Sequence, residues 1–137
     1  MAIVGIIPRR LPMPDSDAFN EDVLADLTLL ALVIAHGADA DLDPREIDTL
    51  ADRLHVLASH LSGDDVIEIV RQGAEVYRDS RVEGAETVVH RIAGALDPDR
   101  LARAYDALEA VAAADESLHP MESTMLRHVA AAWRLNR

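Results

Sequence analysis

The chain has 137 residues, with 25 acids against 13 bases and a formal net charge of −12. It has no cysteine and every base is arginine, which excludes disulfide scaffolds, zinc fingers, iron–sulfur sites, thiol nucleophiles and lysine chemistry. So acidic a chain repels phosphate backbones, and no nucleic-acid partner is expected.

Apolar residues make up 50% of the chain, enough to argue against wholesale disorder. Aromatics are only 3%, while 23 residues are Ala, a composition of close-packed helices rather than sheets. Residues 1–16 carry Pro8, Pro12 and Pro14 and read as an extended tail with an apolar start. Met1–Ile7 is short and lacks a basic start, so no signal peptide is expected. The longest uncharged apolar stretch, Leu27–Ala38, is too short to span a bilayer, and a cytoplasmic location is expected.

From Phe19 the periodicity turns helical. Phe19, Val23, Leu27, Leu30 and Ile34 mark one face while Leu29, Leu32 and Val33 fill the other, so residues 18–37 should form a buried central helix ending at Gly37. Asp43-Pro44-Arg45-Glu46 opens a second helix with an acid cap, Pro at the first position and Glu at the third. Its stripe is Ile47, Leu50, Ala51, Leu54, Ala58 and Leu61. Ser62-Gly63-Asp64-Asp65 opens a third, with Val66, Ile69, Val70, Gly73, Val76 and Tyr77 on its inward face. Residues 83–95 form a shorter fourth burying Val88, Val89, Ile92 and Leu96. Asp97-Pro98 caps a fifth carrying Leu101, Ala104, Tyr105, Leu108 and Val111. His119-Pro120 begins a sixth, with Met125, Val129 and Trp133 facing inward. The expectation is a single all-α domain over residues 17–137, six or so helices in a bundle.

The chain also repeats itself. At an offset of 76, residues 39–50 fall on 115–126 with five identities in twelve positions: Asp39/Asp115, Leu42/Leu118, Pro44/Pro120, Glu46/Glu122 and Leu50/Leu126. About one would be expected by chance. This implies two helix–loop–helix units related by a pseudo-two-fold. In a simple up-down topology the first and fifth helices run the same way. The two acidic loops then share one end of the bundle, with Asp39, Asp41, Asp43 and Glu46 facing Asp115, Glu116, His119 and Glu122.

At these residues the pattern resembles the TerB family of tellurite-resistance proteins and the related N-terminal domain of membrane-anchored DnaJ-type co-chaperones. That family has two copies of a helix ending in Ala-x-x-Asp-Gly, followed by an acid that opens the next helix. Here the copies run from Ile34-Ala35-His36-Gly37-Ala38-Asp39 through Glu46, and from Val111-Ala112-Ala113-Ala114-Asp115 through Glu122. The family glycine is Ala40 in the first copy and Glu116 in the second. The resemblance implies an all-α domain with an acidic cluster suspected of binding divalent cations, associated with stress responses and with no established enzymatic activity.

The residues themselves bound what the loops can do. Asp39-x-Asp41-x-Asp43 resembles the first half of an EF-hand loop, but Pro44 stands where Gly is needed and Leu50 where a bidentate Glu is needed. A site shared between the loops stays open, and hard oxygen ligands would favour Ca²⁺ or Mg²⁺. The plainer account is capping: Asp43, Glu46 and Glu122 suit helix starts, and Asp39 and Asp115 could bond their own loop amides. An acid just past a helix C-terminus is electrostatically unfavourable, so capping explains those last two less well.

Of the six histidines, His55 and His60 are off a shared face, and His36, His90 and His128 sit singly in helices. Glu116-x-x-His119 has a di-iron spacing but precedes Pro120 and has no second copy. With no catalytic motif, no cofactor or catalytic residue is assigned and no enzyme is expected. Two functions are expected from different classes. One is a TerB-like stress-response domain holding a divalent cation in its duplicated loops. The other is a co-chaperone-like adaptor for a basic or helical protein, its loop acids serving only as caps.

Overall fold

The computed structural model describes residues 15–36, 44–80, 85–113 and 120–136. The chain is all-α. Among the described residues there are seven helices and no strand: α1 (Asp15–Ala18), α2 (Glu21–His36), α3 (Pro44–Leu57), α4 (Gly63–Ser80), α5 (Ala85–Ala95), α6 (Pro98–Ala113) and α7 (Pro120–Ala132).

The seventh helix comes from a correction at the start. Asp15 and Ser16 belong to a helical turn rather than to an extended tail, and the helix expected over 18–37 is broken at Phe19–Asn20. Asn20 makes the break. Its side-chain amide donates to the Asp17 carbonyl at 3.0 Å, and its Oδ1 accepts the Val23 N–H at 3.0 Å. One side chain thus ends α1 and caps α2. Phe19, in the break, is fully buried, and the Arg103 guanidinium lies 5.3 Å from its ring centroid.

The central position of α2 follows from its all-round apolarity. Leu24, Leu27, Leu30, Leu32 and Ile34 point in several directions and are all buried, because α3, α4, α5, α6 and α7 each pack against this one helix. Even its polar residue is enclosed: the Thr28 hydroxyl donates to the Leu24 carbonyl at 2.8 Å. Gly73 of α4 lies directly above it, where a Cβ would come within 2.6 Å of Thr28 Cγ2.

Two of the expected helix caps hold, those of α4 and α6. Ser62 Oγ accepts the Asp65 N–H at 3.1 Å, and Asp97 Oδ1 accepts the Arg100 N–H at 2.9 Å. At the far end, α7 closes with paired bonds from Arg134 N–H to the Ala131 carbonyl and from Leu135 N–H to the Ala130 carbonyl. Arg134 itself is left-handed, with φ 58°.

Helix α5 lies over the groove between α2 and α7. Arg91 reaches Asp26 of α2 through two bonds, Nε to Oδ2 at 2.8 Å and Nη2 to Oδ1 at 2.6 Å. From α7, the buried Trp133 Nε1–H donates to the Val89 carbonyl at 3.0 Å. The buried apolar residues among those described form one continuous core, but Val76, expected on the inward face of α4, is exposed.

Candidate functional site

The sequence-derived site falls on the two loops that join α2 to α3 and α6 to α7. Asp39, Asp41, Asp43, Asp115, Glu116 and His119 lie outside the described residues. Glu46 and Glu122 lie on the first turns of α3 and α7, where the backbone is helical. The helix starts after these loops, Pro44 and Pro120, recur at the offset of the sequence repeat, and the helices before them, α2 and α6, end within one residue of it, at His36 and Ala113. The burial pattern recurs too, since Leu50, Leu54 and Leu57 are buried in α3 as Leu126, Ala130 and Trp133 are around α7. Among the described residues, no group of three or more His, Asp or Glu side chains is arranged to hold a metal ion.

The described residues bring other charged groups together. His128 Nε2 of α7 sits 2.6 Å from Glu86 Oε1 of α5, and His90 Nε2 lies 3.7 Å from the other oxygen of the same carboxylate. All three side chains are more than half exposed, so the cluster adds little to stability. His55 is occupied locally, donating from Nε2 to the Leu61 carbonyl at 2.9 Å. The Arg91–Asp26 pair is better enclosed, with the Asp26 side chain 14% exposed. The hydrogen bond from Asp26, and then its charge, hold the Arg91 guanidinium above its ordinary range.

A cleft of about 230 Å³ opens between α3 and α6, lined by Arg53, Val56, Leu57, Arg103, Asp106, Ala107 and Ala110. Val56 at its edge is 73% exposed. Sequence reading passed over this cleft. The available signal was Val56, an apolar residue off the buried stripe of its own helix, opposite small residues on α6.

Among the described residues, no helix is long and apolar enough to cross a membrane. Neither the curated proteins nor the solved structures compared with the chain gave a match. The family model described as tellurite resistance protein TerB matches residues 23–137, from the first turn of α2 to the end of the chain, and so takes in both helix–loop–helix units. By that match, the chain belongs to the TerB family.

Proposed function

We propose that this TerB-family chain is a non-catalytic helical domain that binds a divalent cation through its loops 37–43 and 114–119 and acts in a stress response of the tellurite-resistance kind. The observation that supports it is the recurrence of the helix starts after those loops, Pro44 and Pro120, at the same offset as the repeated acids, with the preceding helices ending within one residue of that offset. Each loop follows a helix C-terminus and delivers carboxylates ahead of a Pro that starts the next helix. Acids just past a helix C-terminus are unfavourable there, and a bound cation would compensate them. The donors are Asp39, Asp41 and Asp43 with Glu46, and Asp115, Glu116 and His119 with Glu122. Mostly oxygen ligands suit Ca²⁺ first and Mg²⁺ second.

The experiment is a thermal melt with and without CaCl₂. Saturation at about 100 times the dissociation constant adds roughly 2.7 kcal/mol, on the order of 5–15 °C at this size. Asp39→Asn or Asp115→Asn raises the ion-free melting temperature, because like charges no longer repel, and removes the response to Ca²⁺. Mg²⁺ gives a smaller shift. A wild-type melt unmoved by millimolar Ca²⁺, with Asp39→Ala simply about 1 kcal/mol less stable, rejects the cation site. It would leave a second reading, an interaction module whose loop acids are caps, which the open cleft between α3 and α6 favours.

A further inference from the structure

The cleft between α3 and α6 corresponds, in sequence register, to a groove that is already filled. At the offset of 76, its α6 wall of Arg103, Asp106, Ala107 and Ala110 falls on Leu27, Leu30, Ala31 and Ile34 of α2, all of them buried. Its α3 wall of Arg53, Val56 and Leu57 falls on Val129, Ala132 and Trp133, around the end of α7. The equivalent groove is therefore the one between α2 and α7. An amphipathic helix occupies it: α5, whose Val88, Val89 and Ile92 are buried and whose Val89 carbonyl takes the bond from Trp133.

The two grooves differ in charge. Where the filled one has the buried Leu27 and Val129, the cleft has Arg103 on its α6 wall and Arg53 on its α3 wall. They stand against one acid, Asp106, in the place of Leu30. The exposed acids beside them in sequence, Asp52 and Glu109, do not line the cleft. A chain of net charge −12 thus gives this cleft an excess of cation. The rest of the lining stays apolar, with Leu57, Ala107, Ala110 and the largely exposed Val56. Arg103 is set against the Phe19 ring, and a guanidinium carries five N–H donors, so stacking leaves its edge able to meet a carboxylate.

We propose that the cleft receives an amphipathic helix of a partner protein, with an apolar stripe of i, i+4 and i+7 anchors flanked by Asp or Glu. The occupant of the equivalent groove argues for the helix, and the arginines argue for the acids. Val56 and Leu57 meet the apolar stripe, while Arg53 and Arg103 pair with carboxylates on its flanks. A basic helix would set its charge against both arginines. The cavity, about 230 Å³, is smaller than the ~300 Å³ at which small-molecule sites begin, and suits side-chain anchors instead. The inference rests on neither acidic loop. CaCl₂ and the variants Asp39→Asn and Asp115→Asn should leave the binding unchanged, so it stands or falls apart from the cation site.

The test uses the full chain and two fluorescein-labelled peptides of about 15 residues, long enough to form a helix. One carries Leu at i, i+4 and i+7 with Glu on both flanks, and its twin has Lys for every Glu. The acidic peptide should bind saturably in fluorescence anisotropy and shift the backbone amide signals of Val56, Ala107 and Ala110. The Lys twin should bind at least about tenfold more weakly. Arg53→Glu, at an exposed position that leaves the core intact, should reverse that order, and Val56→Asp should weaken the acidic peptide. A reversal by Arg53→Glu cannot come from unfolding, which would weaken both peptides alike. The proposal is overturned if the Lys twin binds as well as the acidic peptide, if the shifts fall away from the cleft, or if neither peptide binds at millimolar concentration. Sedimentation without peptide must show a single chain. Pairing of chains that Val56→Asp abolishes would make a second copy the occupant and overturn it too.

Discussion

The pairs α2–α3 and α6–α7 share a sequence pattern and helix boundaries, yet they are used differently. In the first pair α2 is enclosed by five helices, down to a buried threonine that leaves no room for a side chain at Gly73. In the second pair α6 keeps the same register but has Arg103 and Asp106 where α2 has Leu27 and Leu30, and its outer face borders a cleft. The ends differ as well. α3 ends in ordinary turns, with Leu61 N–H bonded to the Ala58 carbonyl, whereas α7 ends on a left-handed arginine and buries Trp133. The two helix pairs thus serve as a pillar and a flank. Arg103 and Asp106 are exposed on α6 where α2 buries Leu27 and Leu30.

The largest effect that could break this comparison comes from the two equivalent grooves. Trp133→Ala, under α5, should cost about 3–5 kcal/mol in denaturant unfolding, combining lost burial with the loss of its bond to Val89. Val56→Ala, in the open cleft, should cost under about 1 kcal/mol, because its side chain is only marginally covered. Equal losses would mean that the two grooves are filled alike and that the pillar–flank distinction is mistaken.

A middle-sized effect tests how tightly the pillar is enclosed. Gly73→Ala drives a methyl to 2.6 Å from Thr28 Cγ2, and overpacking of this kind costs about 1–3 kcal/mol. Adding Thr28→Ser removes the clashing methyl and should recover part of the loss, a coupling that a double-mutant cycle reads directly. Gly94→Ala on α5 is the control, since nothing lies within 4 Å of its added Cβ. It should instead gain about 0.5–1 kcal/mol of helix propensity. If both glycines respond alike, close approach of α4 to α2 is not what holds Gly73.

Most of the helical frame was legible because it rests on local rules. Ser62 and Asp97 cap the helices they were expected to cap, and the apolar stripes of α3 through α7 face the core except at Val76 of α4, which is exposed. The break before α2 was not legible. Phe19 continues the apolar spacing into residues 23–34, and only the double bonding of Asn20 to Asp17 and Val23 interrupts it. The cleft was hidden for a different reason. It depends on which helices pair across the bundle, and periodicity within one helix carries no information about that. The contact between His128 and Glu86 spans 42 residues and was equally out of reach. The acids of the candidate site stand out in the sequence beside Pro44/Pro120 and Glu46/Glu122, but Asp39, Asp41, Asp43, Asp115, Glu116 and His119 lie outside the described residues.

The helix ends offer a smaller test. Arg134 holds φ 58° at the end of α7, a conformation that carries strain for any residue with a Cβ. Arg134→Gly should therefore stabilise the chain by about 0.5–1 kcal/mol. The same change at Ala58, its repeat equivalent, should destabilise, because the backbone there is not left-handed. Stabilisation at both positions would show that the two helices end alike.

The smallest expected effect concerns the pair that ties α5 to the pillar. Arg91→Gln removes the bidentate contact to Asp26, and with Arg91 half-exposed the loss should be about 0.5–1 kcal/mol. Its pH dependence follows from the sign of the Arg91 shift. A cation whose folded-state pKa is raised contributes stability that is fully present below its unfolded pKa and is lost only as pH climbs through the folded one. Here both values lie in the strongly alkaline range. The difference in melting temperature between wild type and Arg91→Gln should therefore stay constant from about pH 7 to about pH 10, where Arg91 does not titrate. A difference that fades within that window would mean that groups other than this pair anchor α5 over its groove.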